Sequence, residues 1–363
     1  MLCETVAING WFLTQTVVGI QRFARETLAA LDSQAGSERL VLVVPRGTVD
    51  IPALTNIRVV RLGKKLPLLW EQLVFPCYAI LHRMQTLNFC NVVPLASPGI
   101  VCIHDIFYRT HWREFTGTPR GLFSMLWHRI QYCWAAILAK GILTVSEYSA
   151  AEIGKCYHVD RSRLAVVYNG WDHMKRVQGD DRVFDRLAGL RKGHYFLSVG
   201  SMADYKNLQW IVASARKHPQ DTYVIVGKSM PSSAFSAVDG SDLPNVKLTG
   251  FLSDSEIKSL IANCEAFIHP SKREGFGIPP LEALGLGCVV IVSRATCLPE
   301  IFGNAVGYID DPCDYANADP REIIGRAHFT PSDQVLERFV WRKTAERVAV
   351  ALSRWLNKDK GEN

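Results

Sequence analysis

His269-Pro270-Ser271-Lys272-Arg273-Glu274-Gly275-Phe276-Gly277-Ile278-Pro279-Pro280-Leu281-Glu282-Ala283-Leu284-Gly285-Leu286-Gly287 leads directly into the apolar run Val289–Val292. Ala266-Phe267-Ile268 reads as a strand that ends near His269, and Gly275 and Gly277 mark a loop. Pro279 and Pro280 suit the first turn of a helix, which leaves its N–H groups unbonded in any case. Gly287 suits the end of that helix, just before the next strand. Strand, loop, helix and strand in this order make one step of a parallel α/β sheet. In such sheets ligands collect beyond the carboxyl ends of the strands, where glycines admit close backbone approach and a helix amino end favours anions. A phosphate-bearing ligand is expected here.

The same alternation extends in both directions. Leu40–Val44, Gly99–Ile103, Gly141–Val145, Leu164–Val167, Tyr195–Val199 and Thr222–Val226 are short apolar or β-branched runs separated by amphipathic segments. A chain of 363 residues exceeds one ordinary core and predicts two such α/β domains with a cleft between them. Trp171 to Gly193 is polar and poor in strand signal, so it reads as the linker. The expected domains are 1–172, 173–335 and a terminal helix in 336–363, its apolar face running from Val335 to Leu356 at helical spacing and crossing back to brace the first domain.

Composition narrows the function. Apolar residues at 48% and charged residues at 21% exclude disorder. The ten cysteines are scattered without a C-x-x-C pair and read as buried free thiols of a reducing compartment. Met1–Gly10 lacks the pattern of a signal peptide, and the apolar stretches Leu66–Leu81 and Leu122–Leu143 are interrupted by charged and polar residues. A cytoplasmic protein is expected, peripheral at the inner face of the cytoplasmic membrane. The net charge of +6 lies wholly in the first half: residues 1–170 hold 17 Lys and Arg against 11 Asp and Glu, and the rest balance at 24 each. A basic first half suits an anionic membrane surface or an acidic acceptor, and equally an ordinary mildly basic surface. No G-x-G-x-x-G follows the first strand and no G-x-x-x-x-G-K-[ST] occurs, so redox chemistry on a dinucleotide and P-loop hydrolysis lose their main support.

Glu274 and Glu282 lie eight positions apart, the first on the loop and the second expected in the first helical turn. Two carboxylates can accept bonds from the hydroxyls of one extended ligand, a ribose at one end and a sugar at the other. On spacing alone they read equally well as a solvated loop charge and an offset to the helix dipole. With Gly275-Phe276-Gly277 between them, however, they resemble the E-x7-E signature of the retaining group 1 glycosyltransferases of GT-B fold, the large family that contains bacterial mannosyl- and glucosyltransferases. The likeness continues through Gly19-Ile20-Gln21-Arg22, Trp70-Glu71-Gln72, His104-Asp105, Thr144-Val145-Ser146, Tyr168-Asn169-Gly170, Val199-Gly200, Lys206-Asn207 and Thr249-Gly250-Phe251, in the family's order.

The resemblance implies a retaining transfer of a hexose, mannose favoured, from a nucleotide diphosphate sugar to a glycan or lipid-linked oligosaccharide in surface polysaccharide synthesis. Lys206 would hold the donor diphosphate, Glu282 the ribose, and Glu274 with the amides of Gly275, Phe276 and Gly277 the sugar. Gly250 and Phe251 would line the base pocket, Gly19 would lie on a donor-phosphate loop, and His104 would face the transferred sugar. Together with Ser201 these form the implied site, with His104, Glu274 and Lys206 nearest the chemistry. At Ser201 and Tyr205 the chain departs from the family's usual arginine, with Arg273 and Lys272 as candidates to replace it. No cofactor, metal or nucleic acid is expected beyond the donor, GDP-mannose being favoured. A catalytically silent scaffold of the same fold and a nucleotide-sugar epimerase are the alternatives.

Overall fold

The computed structural model describes residues 4–187, 189–227 and 243–357. The chain divides into two compact units, one of residues 1–170 with 341–363 and one of residues 171–340. In the first unit the strands are β1 (Val6–Asn9), β2 (Leu40–Val44), β3 (Arg58–Arg61), β4 (Gln85–Asn88), β5 (Ile100–Cys102), β6 (Gly141–Thr144) and β7 (Leu164–Val166). They form one sheet in the order β3-β2-β1-β4-β5-β6-β7, every pairing parallel. β1 and β2 are buried at every position, as expected where helices cover both faces. β3, at the edge, carries Arg58 and Arg61 exposed at its ends, charges that discourage further pairing.

The second unit repeats the plan with β8 (Tyr195–Val199), β9 (Thr222–Val226), β10 (Val246–Gly250), β11 (Ala266–His269), β12 (Val290–Ser293) and β13 (Gly307–Ile309). Their order is β10-β9-β8-β11-β12-β13, again all parallel. In this sheet the strand order reverses between β8 and β11, and at such a switch point the loops leaving the two strands diverge and open a crevice. Phe196, Trp210, Tyr223, Ile268 and Ile291 fill the core beneath it.

Three sequence expectations need correction. The segment 171–193 is no free linker: Asp172–Lys175 and Arg182–Arg186 are helical, and Lys258 Nζ donates to the carbonyls of Met174 and Val177 at 2.8 Å each. Trp171 also packs so closely on Gly285 that a Cβ there would lie 2.0 Å from the indole. The terminal helix is two helices, Asp333–Arg338 and Trp341–Leu356, broken at Phe339, whose ring meets Phe276 edge-on at 5.5 Å and whose carbonyl accepts the Trp171 N–H. That packing draws the backbone out of helical register, so the domain boundary falls after Val340. The closing residues 358–363 of the expected helix lie outside the described residues. Glu282 sits in the second turn of the helix Ile278–Gly285, because the helix starts one residue before Pro279.

The helix Trp341–Leu356 lies against the helix Gly19–Asp32 of its own unit. Trp355 anchors its end: the indole donates to the Ser162 carbonyl at 3.1 Å and covers Gly141, where a Cβ would lie 2.2 Å from the ring. Trp355→Ala is therefore expected to cost about 3–5 kcal/mol of stability, read as a lowered urea midpoint.

Candidate active site at the sheet switch point

β8 runs into Gly200 and Ser201 and then a short turn, Asp204–Lys206. The turn is closed by Asn207, a buried residue in the left-handed conformation at φ +58°. Asparagine tolerates that conformation better than most residues. Its amide donates to the carbonyls of Pro270 at 3.0 Å and Pro312 at 2.7 Å, and its Oδ1 accepts the Tyr315 hydroxyl at 3.0 Å. The loop that carries Lys206 is thus tied to the end of β11.

From there Lys206 Nζ reaches Glu274 Oε1 at 2.6 Å, and the same oxygen accepts from His269 Nε2 at 2.7 Å. Since a carboxylate only accepts, Nε2 carries the histidine proton. Burial pushes the Glu274 carboxyl up, but the Lys206 charge and the His269 bond outweigh it and hold the group well below the usual carboxylate range. Burial pushes His269 down, against the pull of Glu274, so the pair at neutral pH is an ionised carboxylate beside a neutral imidazole. Thr296 clamps the Glu274 backbone, its hydroxyl accepting from the N–H at 2.9 Å and donating to the carbonyl at 3.0 Å. It does so at φ +50°, an outlying conformation for a β-branched residue and one that clusters at functional sites.

Arg273 is buried with its guanidinium 5.2 Å from the Tyr205 ring, and Lys206 Nζ lies 5.3 Å from the same ring. Two cations and one carboxylate therefore share the end of β8 and β11. The Gly277 backbone is left-handed at φ +95°, and a Cβ there would lie 2.8 Å from Leu298, so the loop reaches the helix Ile278–Gly285 only with glycine at this position. Glu282, mostly buried, places Oε1 3.0 Å from His173 Nε2. Each glutamate of the E-x7-E pair thus has a buried histidine beside it. Gly250 ends the outer strand β10 and exposed Phe251 follows it, at the same carboxyl end, where the Gly227 N–H bonds the Gly250 carbonyl at 3.0 Å.

His104 and Gly19 belong to the first unit. Gly19 opens its helix at an exposed position, and His104, just past β5, packs its ring on Phe23 of that helix at 4.8 Å. His104 Nε2 meets the Phe89 carbonyl at 2.8 Å, which makes it the donor, while burial lowers the imidazole to about 4 despite that bond. Trp70 and Gln72 serve structure, the indole bonding the Leu62 carbonyl at 2.7 Å and the amide bracketing Val93 and Leu95. Between them burial pushes Glu71 up to about 7, against a bond from Asn9.

The residues given no role in the sequence are His269, which opens the quoted stretch, Asn207, which stands beside Lys206 in the likeness, and His173 and Thr296. His269 had a readable signal, a histidine at a strand end five residues before Glu274. The other three act through contacts distant in sequence that no spacing announces.

Comparison with known proteins bears on the family and the fold. Residues 183–319 match the family described as glycosyl transferases group 1. The matched residues lie within the second unit. The O-antigen chain mannosyltransferase RfbU of Salmonella typhimurium is 27% identical over 227 residues, 61% of this chain and 59% of that protein. An O-antigen chain mannosyltransferase of Escherichia coli is 28% identical over 186 residues, 48% of this chain and 49% of its own length. The chain thus spans about half to three-fifths of the length of these two relatives. The crystal structure of Anabaena HepE with UDP and glucose covers 96% of this chain and 99% of its own at a TM-score of 0.65 and 16% identity, a likeness of fold. The fold is that of the GT-B glycosyltransferases.

Two outcomes test the electrostatics. Lys206→Met strands a buried carboxylate and is expected to cost about 3 kcal/mol at neutral pH. Because the folded Glu274 titrates below its ordinary 4.5, the pair's contribution is complete above that value and is lost as pH falls toward the folded one, so the wild-type advantage in urea shrinks in acid. An advantage unchanged in acid would assign Lys206 to packing alone. His104 should titrate by NMR near pH 4 instead of 6.5, with stability falling as acid passes from the higher value to the lower, because the unfolded chain takes the proton first.

Proposed function

We propose that this protein transfers a hexose, mannose favoured, from a nucleotide diphosphate sugar to a glycan or lipid-linked oligosaccharide, with retention of configuration. The observation that carries this reading is the Lys206–Glu274–His269 cluster at the carboxyl ends of β8 and β11, with Arg273 beside it. Cations at a sheet switch point suit a diphosphate, and their charge opposes the negative charge that grows on the departing nucleotide. Lys206 is suited to that task as a point charge, and Arg273, with its guanidinium 5.2 Å from the Tyr205 ring, is the candidate to replace the family arginine missing at Ser201 or Tyr205.

The assigned roles follow the chemistry of each group. Glu274, held ionised, accepts a hydroxyl of the donor sugar, and the amides of Gly275, Phe276 and Gly277 donate to others. Glu282, with His173 Nε2 3.0 Å from its Oε1, holds the ribose, and Gly250 with Phe251 lines the base. Gly19 and His104 act from the first unit, His104 as a neutral imidazole. The sugar–phosphate bond breaks as the acceptor hydroxyl attacks from the side the diphosphate leaves, and a diphosphate oxygen takes the proton. No protein nucleophile and no cofactor beyond the donor enter this scheme. Mannose is favoured because both O-antigen relatives are mannosyltransferases by name.

Thermal shift with GDP-mannose, UDP-glucose, UDP-galactose, UDP-N-acetylglucosamine and dTDP-rhamnose tests the reading. One donor should stabilise the protein, by about 2.7 kcal/mol at a hundredfold excess over Kd, and Lys206→Ala and Glu282→Ala should each abolish the shift. Stabilisation by none would remove the donor site. A product whose anomeric proton reports inversion would overturn the stereochemistry.

A further inference from the structure

The helix Pro119–Leu138 of the first unit buries one face through Met125, Gln131, Tyr132 and Ala135. Its opposite face carries Leu122, Phe123, Leu126, Ile130, Trp134 and Ile137, all exposed, Phe123 at 63% and Ile137 at 70%. The spacing is helical throughout, so the apolar stripe runs the length of a 20-residue helix, about 30 Å at 1.5 Å per residue. Scattered exposed apolar residues are ordinary, but a contiguous stripe of this size marks an interaction surface.

A second segment adds to it. Leu66, Leu68, Leu69 and Leu73 are exposed around the turns that precede the helix Phe75–Leu81, whose Leu81 is 80% exposed. Both segments are fastened to one short stretch of chain. Gln72 donates to the Val93 carbonyl at 3.1 Å and accepts the Leu95 N–H at 3.0 Å, while Gln131 donates to the same Val93 carbonyl at 3.2 Å. Trp134 completes the tie, its indole N–H donating to the Leu95 carbonyl at 2.9 Å. What Trp134 presents outward is therefore the apolar part of its ring, with the polar atom already bonded. The two connections also cross the sheet in the same sense, β3 to β4 and β5 to β6, and right-handed crossovers of the same sense lie on the same face.

Charge decides between partners. The helix Pro119–Leu138 contains no Asp or Glu, and across segments 64–84 and 109–140 there are eight Lys and Arg against two Asp and Glu. Arg113 and Arg120 are exposed at the amino end of the helix, and Lys64 and Lys65 precede the second segment, also exposed. A second copy of this chain would bring the same positive charge against itself, whereas an anionic lipid leaflet takes both the apolar stripe and its basic margin. Helices that lie in the plane of a membrane interface combine an apolar face with flanking cations in this way. Among the described residues no helix is long and apolar enough to cross a membrane, so the contact is with the surface of the leaflet.

We propose that the face formed by Pro119–Leu138 and the Leu66–Leu81 segment docks on an anionic lipid bilayer, with the long helix lying in the interface. This surface belongs to the first unit and shares no residue with the Lys206–Glu274 cluster of the second, and the proposal stands whether or not the transfer reading holds.

Flotation of the full chain with vesicles tests it, using equal parts phosphatidylglycerol and phosphatidylcholine against phosphatidylcholine alone. Binding to the anionic vesicles should be roughly tenfold stronger and should fall as salt rises from about 0.1 M to about 0.5 M. The variant Phe123→Glu, Ile130→Glu, Ile137→Glu should lose at least roughly tenfold in binding with its melting midpoint unchanged, since these side chains are exposed. Should that variant fold poorly, Arg113→Glu with Arg120→Glu leaves the apolar stripe intact and should remove the preference for anionic lipid. Wild type that floats with neither vesicle, or variants that float like wild type, would overturn the proposal. So would wild type that sediments as a dimer, ignores vesicles, and becomes monomeric in the triple variant, which would assign the stripe to self-association.

Discussion

The ion pair between Lys206 and Glu274 is the interaction on which the carboxyl end of the second unit's sheet depends. It joins the loop after β8 to the loop after β11, the two strands between which the sheet reverses its order. Removing both charges from water is costly, and attraction compensates only where the remaining bonding capacity is also satisfied. The surroundings meet that condition: His269 donates to the same carboxylate oxygen, Thr296 holds the Glu274 backbone on both sides, and Asn207 pins the lysine loop to Pro270 and Pro312. A pair held this firmly keeps a carboxylate and a lysine at fixed points, with the Arg273 guanidinium beside the same Tyr205 ring. That combination suits a ligand with hydroxyls at one end and phosphates at the other.

The histidines divide by environment. His269 is buried and stays neutral, using its one proton on Glu274. His104 is also buried and neutral, its proton committed to the Phe89 carbonyl, which fixes the tautomer and leaves Nδ1 as the lone-pair nitrogen. An imidazole so held can bond a hydroxyl without competing for its proton at physiological pH. His173 Nε2 lies 3.0 Å from Glu282 Oε1 in the second turn of its helix, so each glutamate has a buried histidine beside it, close in sequence for Glu274 and far in sequence for Glu282.

Much of the architecture was legible because parallel sheets leave a strong local trace. Buried strands read as continuous apolar runs, and Leu40–Val44, Tyr195–Val199 and Thr222–Val226 match their strands residue for residue. The strands left unnamed were short or weakly apolar: Arg58–Arg61 with charges at both ends, Gln85–Asn88 with two amides, and Gly307–Ile309 with three residues. The stripe along Pro119–Leu138 illustrates the opposite limit. Its apolar run suited a buried core as well as a surface, and only the packing of Met125 and Tyr132 inward shows which side faces out.

By itself the sequence determined the α/β class and the strand-loop-helix around Glu274 and Glu282, because glycine, proline and apolar periodicity act over a few residues. Tertiary structure alone decided that Lys206 meets Glu274 across 68 positions of chain and that Thr296 adopts a left-handed backbone to hold it. It alone also breaks the final helix at Phe339 to seat a ring on Phe276. These are contacts between segments far apart in sequence. They depend on how the strands are ordered in the sheet, which no local pattern of residues encodes.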